Sequence, residues 1–237
     1  MSMNSNIHNK KIISNKTFGH YFTSKDKIKP FFGFHPRNNF NNYCFTNSSI
    51  HLSSYWNCQM ELFQIQDKKS PISSEKMELN DHVLFNLYIN AVIIPYKYGF
   101  PLFDRLLKLS SSHCFMHTEK YFFYISCKEL PDEKDIPSLV FSLKGGASLE
   151  LKSKDFFGKV PGRLNETLPE YKCKVYITHD NINWVIGTPI LKNYDMIFDL
   201  EKEEIGFDSN CNFYSTIFVE KEKKIEKSIF HILLSYH

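Results

Sequence analysis

The sequence predicts an all-β fold, and three features carry that prediction. Short apolar stretches of strand length recur along the chain, and turn-forming residues separate them. The 22 Phe and 13 Tyr, beside abundant Ile, favour strands over helices. Helical periodicity is clear in a single short stretch. Because 42% of the residues are hydrophobic, the chain can form a genuine core.

No internal repeat or low-complexity linker divides the chain. We therefore expect one globular unit at residues 17–210. A polar, disordered N-terminus at residues 1–16 is expected to precede it, and a C-terminal extension at residues 211–237 to follow it.

The first part of the globular unit is predicted to contain only strands. The strongest pattern is at residues 55–66, where Trp56, Cys58, Met60 and Leu62 alternate with polar residues as in a half-buried strand. Pro95 ends the last of these strands. The predicted strands are residues 18–23, 31–34, 55–66, 83–85 and 91–94.

The next part contains the clearest helix, predicted at residues 101–109. There Leu102, Leu106 and Leu109 recur at three- and four-residue steps on one face. Aromatic residues 121–125 predict a strand. Residues 139–143 and 149–151 alternate on either side of Gly145-Gly146, which predicts a β-hairpin, and residues 171–177 predict a further strand.

Residues 184–207 are the most informative segment. An apolar run ends at Gly187, a polar turn follows, and two more apolar runs flank a charged turn. This pattern predicts a strand, a glycine corner, a short helix, and then two strands joined by the charged turn.

Composition excludes several classes of function. The net charge is +3 with scattered basic residues, so we expect no nucleic-acid binding. No apolar run approaches the roughly 20 residues of a membrane-spanning helix. Residues 1–16 lack the apolar core of a signal peptide. Six cysteines are too few for a disulfide-dense scaffold, but they allow one or two bridges in an oxidising compartment.

The ordered series of motifs resembles the C-terminal lobe of pepsin-like aspartic proteases. The segment at residues 184–207 resembles the end of that lobe, where an apolar-apolar-Gly loop lies beside the catalytic site. Earlier motifs follow the family in order: residues 18–24, Gly33 with His35-Pro36, Tyr55-Trp56, the helix at Pro101, and Cys127 with residues 136–141. The resemblance implies a bent, all-β lobe and a Cys127–Cys173 disulfide.

The resemblance implies proteolysis, but the residues that would perform it are absent. Enzymes of this family use two aspartates, one from each lobe, each in an Asp-Thr/Ser-Gly loop. Neither Asp-Thr-Gly nor Asp-Ser-Gly occurs in the sequence. Asn86 stands where the second aspartate is expected, with Leu87 at the hydroxyl position and Tyr88 at the glycine position. An amide cannot act as a general base, and a tyrosine there strains the turn unless the loop has re-formed.

Other candidate residues favour structural roles. Asp81, five residues before Asn86, is interpreted as a turn residue instead of a shifted catalytic acid. Asp199 is interpreted as a turn or hydrogen-bonding residue. His113, Cys114 and His117 have no zinc-site spacing with a second pair, so we expect no metal and no cofactor. Gly187 is interpreted as a packing and turn glycine next to the site. The tail from Glu220 is interpreted as a solvated helix or extension, with an amphipathic membrane or partner helix as the alternative.

The expected function is therefore that of a catalytically inactive homologue of aspartic endopeptidases, which binds a peptide or protein ligand. With 17 residues upstream of Phe18, the N-terminal lobe is expected to be missing, and a separate lobe or a second copy of the chain is a candidate partner. The alternative is a partial chain of a two-lobed endopeptidase. The sequence leaves the compartment unknown, and the resemblance implies a secretory, vacuolar or extracellular one.

Overall fold

The structure is a computed structural model that describes residues 17–23, 27–32, 42–45, 56–67, 75–109, 113–160, 170–179, 184–199 and 202–208. Within these residues the chain forms strands and two helices, α1 (Tyr96–Leu107) and α2 (Thr188–Leu191). The strands are β1 (Thr17–Thr23), β2 (Lys27–Phe32), β3 (Tyr43–Phe45), β4 (Asn57–Gln66), β5 (Glu75–Asn86), β6 (Val92–Pro95), β7 (Cys114–Thr118), β8 (Phe122–Cys127), β9 (Ser138–Leu143), β10 (Ser148–Leu151), β11 (Phe157–Val160), β12 (Glu170–Cys173), β13 (Val175–Thr178), β14 (Trp184–Gly187), β15 (Asp195–Asp199) and β16 (Glu204–Asp208).

The strands form two sheets, so the predicted all-β fold is confirmed. The smaller sheet has the order β2-β1-β15-β16-β3. The larger sheet has the order β10-β9-β4-β5-β14-β6-β13-β8-β12-β11, and β7 pairs with β8 beside this path. The larger sheet is mostly antiparallel, but β14 runs parallel to β5, and β13 runs parallel to β6.

The core lies between the larger sheet and the elements that pack on it. Trp184 is its largest fully buried side chain, and its ring centroid lies 5.1 Å from that of Phe63 and 5.2 Å from that of Tyr98. Helix α1 packs on the larger sheet through its buried Leu102, Phe103 and Leu106. Burying each of these leucines contributes roughly 1.5–3 kcal/mol.

The segment at residues 184–207 folds as its pattern predicts. Strand β14 ends at Gly187, α2 follows it directly, and β15 pairs antiparallel with β16, although residues 200–201 between them lie outside the described residues. The predicted glycine hairpin is also confirmed, because β9 pairs with β10 and both Gly145 and Gly146 have positive φ angles. Such angles favour glycine because it has no Cβ.

Three predicted boundaries differ from the structure. Helix α1 begins at Tyr96, five residues before the predicted start, because β6 leads directly into it at Pro95. The predicted strand at residues 171–177 is two strands, interrupted at Lys174, whose N–H donates to the carbonyl of Phe156 instead of to a neighbouring strand. The short predicted strand at residues 83–85 is the end of the much longer β5. The predictions for residues 1–16, Gly33, His35, Pro36, Tyr55 and 211–237 lie outside the described residues.

The described cysteines form two disulfides, and the predicted Cys127–Cys173 bridge is wrong. Antiparallel pairing of β7 with β8 sets Cys114 directly opposite Cys127, with 4.0 Å between their Cα atoms, and these two residues are bonded. A second bridge, Cys44–Cys58, joins β3 of the smaller sheet to β4 of the larger one. Cys173 lies on β12 opposite Phe157, and it is a buried free thiol.

The environment of Cys173 disfavours its thiolate. Burial raises the pKa of this thiol to about 12, although the Val175 N–H, 3.4 Å from the sulfur, acts in the opposite direction. In the unfolded chain the same thiol titrates near pH 8.5. Because the native-state pKa is the higher one, the stability contributed by the protonated thiol is complete below about pH 8.5 and is lost as the pH rises towards 12.

We predict that Cys173 resists alkylation in the native protein. Iodoacetamide reacts with the thiolate, which is scarce and inaccessible at this position at pH 8. Mass spectrometry of the peptide containing Cys173 should show labelling after unfolding in guanidinium chloride and little labelling before it. Equal labelling rates in the native and unfolded states would contradict the burial of this thiol.

Candidate functional site

The predicted site lies where a connecting loop crosses the end of a strand. Strand β14 is hydrogen-bonded to β5 on one side and to β6 on the other, although β5 and β6 are consecutive in the chain. The connection at residues 87–91 must therefore pass over the end of β14. Parallel pairing of β14 with β5 sets Gly187 directly beside Asn86. We call residues 86–91 together with Gly187 and Thr188 the corner.

The crossing at the corner has room for glycine alone at position 187. A Cβ atom on Gly187 would overlap the backbone carbonyl oxygens of Ile89 and Ala91. The φ angle of Gly187 is −108°, which any residue can adopt, so the contact and not the backbone conformation selects glycine. This geometry supports the interpretation of Gly187 as a packing residue.

Thr188 holds the loop in place, and sequence reasoning did not identify it. Its N–H donates to the carbonyl of Ile89 at 2.9 Å, and its hydroxyl donates to the carbonyl of Leu87 at 2.9 Å. Since Thr188 is also the first residue of α2, one residue joins the loop, the strand and the helix. The Thr-Pro pair after Gly187 is a helix-start signal that could have drawn attention to it.

Asn86 uses its side chain to brace its own loop. Its Oδ1 accepts a hydrogen bond from the N–H of Tyr88 at 2.9 Å, which is the pattern of an Asx-turn. The Asn86 carbonyl is 3.4 Å from the N–H of Ile89 and closes the same turn. An amide oxygen accepts such bonds but carries no titratable proton. The side chain therefore supports the turn and cannot act as an acid or a base.

Leu87 and Tyr88 give the loop a surface unlike that of an Asp-Thr-Gly loop. Leu87 is half-buried against the main core, and Tyr88 is 99% exposed at the tip. Among the described residues other than glycine, positive φ angles occur only at His113 and Glu203, so Tyr88 does not hold a glycine-type conformation. The tyrosine therefore fits the turn without backbone strain.

The corner contains no carboxylate. None of residues 86–91, Gly187 or Thr188 is Asp or Glu. The nearest candidate in sequence, Asp81, lies within the continuous strand β5, so its assignment to a turn was wrong. Its Oδ2 accepts a hydrogen bond from the buried indole N–H of Trp184 at 3.0 Å. This bond gives Asp81 a structural role that is separate from the corner.

The other candidate residues are spread over different parts of the fold. Cys114 is bonded to Cys127, and the His117 Nε2 lies 2.7 Å from the Ser126 hydroxyl. Asp199, the last residue of β15, accepts a hydrogen bond from the Lys202 N–H at 3.1 Å, in agreement with its interpretation as a turn or hydrogen-bonding residue. Groups of three or more His, Cys, Asp or Glu arranged for a metal ion are absent from the described part of the chain. In the same residues, no helix is long and apolar enough to cross a bilayer.

A family model described as eukaryotic aspartyl protease matches residues 1–210 of the 237. No curated protein matches the chain.

We predict that Gly187→Ala destabilises the fold by about 3 kcal/mol or more, because the new methyl group meets two backbone carbonyls that cannot move independently. Urea unfolding measures the change. Gly158→Ala is the matched control, since its methyl group would meet the flexible end of the Lys174 side chain. Its cost should stay within about 1 kcal/mol. Equal costs at the two positions would show that the crossing is looser than described.

Proposed function

Since this chain belongs to the eukaryotic aspartyl protease family, we propose that it is a catalytically inactive homologue that binds extended peptide or protein segments at the corner. The observation that carries the proposal is the hydrogen bond of Asn86 to the Tyr88 N–H, in a loop that has kept its crossing over Gly187. The backbone arrangement of the site is present, but the carboxylate that the reaction needs is absent.

The proposed loss of catalytic activity follows from what the reaction requires. Aspartic proteases share one proton between two carboxylates, because two such close charges cannot both ionise. One carboxylate then acts as the acid and the other as the base. With Asn86 in place of one of them, the pair cannot form even if a separate polypeptide supplies the other. The pair is lost equally in a complete chain and in one lobe of a longer protein.

Peptide binding is supported by what the corner exposes. Tyr88 extends fully into solvent from a loop that is fixed by Thr188 and by the Asn86 turn. An aromatic side chain on a fixed loop loses little conformational entropy on binding, and such residues are enriched among the energetic centres of interfaces. Asn90, also exposed on this loop, offers amide hydrogen-bonding groups beside it.

We predict that the purified protein shows no pepstatin-sensitive hydrolysis of unfolded casein between about pH 2 and pH 5, the range in which a carboxylate pair with pKa values of roughly 1.5 and 4.7 shares one proton. Casein fragments are detected by mass spectrometry, and pepsin is the positive control. Cleavage that pepstatin blocks and that an Asn86→Ala substitution abolishes would contradict the proposed inactivity.

A separate prediction concerns binding. Fluorescence polarisation with a labelled pool of random peptides should detect an association that Tyr88→Ala weakens at least about tenfold. Tyr121→Ala is the matched control, because Tyr121 is also well exposed (58%) but lies in the turn before β8. Absence of binding, or equal losses in the two variants, would contradict a peptide site at the corner.

A further inference from the structure

Strand β7 is the outermost described strand on its side of β8. Residues 114–118 of β7 pair with β8 through their full length. No other described strand pairs with β7. Its outward row of N–H and C=O groups is therefore a template onto which another strand can add.

The sequence of β7 lacks the usual protection of an edge strand. Natural edge strands carry Lys, Glu or Pro, or they are bulged, and these features prevent unwanted pairing. The sequence of β7 is Cys-Phe-Met-His-Thr, and its pairing with β8 has no break in register. Phe115 is 51% exposed and Met116 is 44% exposed, and successive side chains point to opposite faces of a strand. The edge is thus apolar on both faces.

Apolar surface continues from the edge on the side of helix α1. Met116 is paired with the buried Ile125 of β8, so the two side chains share a face of the sheet. Helix α1 packs on that face, because Gly99 lies directly against Ile177 and Ile177 is paired with Phe123. On α1, Leu107 is 36% exposed. Met116 and Leu107 are therefore apolar groups on the same side of the open edge.

We propose that β7 pairs antiparallel with β7 of a second copy of this chain, in the register that sets Met116 opposite Met116. The two large sheets then join into one continuous sheet. In this register Phe115 of each copy lies opposite His117 of the other. The His117 ring is already stacked on Tyr124 at 4.9 Å, and Tyr124 lies 5.7 Å from Tyr176. The new pairs lengthen this row of rings across the junction.

Charge complementarity favours a second copy in the antiparallel direction. The strand itself has no formally charged residue, so self-pairing opposes no like charges within it. Glu119 follows the strand, and His113 precedes it with Lys128, whose N–H donates to the His113 carbonyl. The Lys120 ammonium lies over the Tyr121 ring. The Lys128 ammonium lies over the Phe115 ring, 5.9 Å from its centroid, on the face that His113 shares. In the proposed register Glu119 of each copy lies opposite His113 of the other on that face, so it can form a favourable charge contact with Lys128 on each side of the symmetry axis.

The test is the oligomeric state of the full chain by sedimentation velocity, at concentrations up to the order of 100 μM. We expect a concentration-dependent dimer. Met116→Lys should raise its dissociation constant at least about tenfold, because two lysines then oppose each other at the symmetry axis. Phe100→Lys is the matched control, since Phe100 is similarly exposed (46%) but lies on α1, and its dimer should persist. Circular dichroism checks that both variants fold.

Each alternative outcome overturns the proposal. A wild-type monomer throughout the concentration range would exclude the pairing. A dimer that survives Met116→Lys but dissociates in a Tyr88→Lys variant would move the contact to the corner. Tyr88 and β7 lie on different surfaces. A chain that does not dimerise would therefore not count against peptide binding at the corner, and a chain that binds no peptide would not count against the dimer.

A cross-link tests the register itself. Opposite residues of an antiparallel pair have Cα atoms about 4.5–5.5 Å apart, within the range that a disulfide spans. Cys211, which lies outside the described residues, is first replaced by Ser so that its thiol cannot compete. Mild oxidation of Met116→Cys should then give a covalent dimer on non-reducing gels. Tyr121→Cys, exposed in the turn before β8, lies outside the paired strand and should not cross-link. Equal cross-linking of both variants, or none of Met116→Cys, would contradict the register.

Discussion

The crossing of the 87–91 loop over Gly187 is the contact on which the rest of the larger sheet depends. The crossing allows β14 to lie between β5 and β6, with one parallel and one antiparallel neighbour. Strand β14 also carries Trp184, the largest buried side chain, and it leads directly into α2 and the smaller sheet. A side chain at position 187 would separate the loop from the strand and so weaken both sheets at their junction. The need for close backbone contact is therefore independent of any catalytic need.

This independence explains how, in the proposed inactive homologue, the corner could keep its shape without catalytic residues. Asn has nearly the same shape as Asp and presents the same acceptor oxygen to the Tyr88 N–H, so the turn is retained. An ionised carboxylate in its place would carry a charge, and the enzymes of the family confine two such charges to one small site. With Asn86 the corner needs no proton-sharing partner, and its hydrogen bonds are those of the backbone, Thr188 and one amide.

The parts of the fold that were predicted correctly are those that local sequence determines. The hairpin at Gly145 and Gly146 and the course of residues 184–207 follow from nearby residues, because glycine, proline and apolar periodicity act over a few positions. At the corner, the structure sets Gly187 beside Asn86, whereas the assignment of Asn86 to the position of a catalytic aspartate stays a prediction. The role of Thr188 could not be inferred, since its hydroxyl bonds to a carbonyl 101 residues earlier in the chain.

The wrong disulfide prediction shows the same limit of what local sequence determines. The sequence alone allows Cys127 to pair with either Cys114 or Cys173. The choice between them is set by the register of β8 with its two neighbours, β7 and β12. Pairing with β7 puts Cys114 opposite Cys127, whereas β12 presents Tyr171 at that position and leaves Cys173 two residues further along. A register is a long-range property of the sheet, because it is fixed by which side chains must be buried together on one face. The strand that supplies Cys114 is also an edge strand among the described strands, and it exposes Phe115 and Met116. The register that the local sequence could not reveal therefore determines both the disulfide and the surface at which the proposed dimer forms.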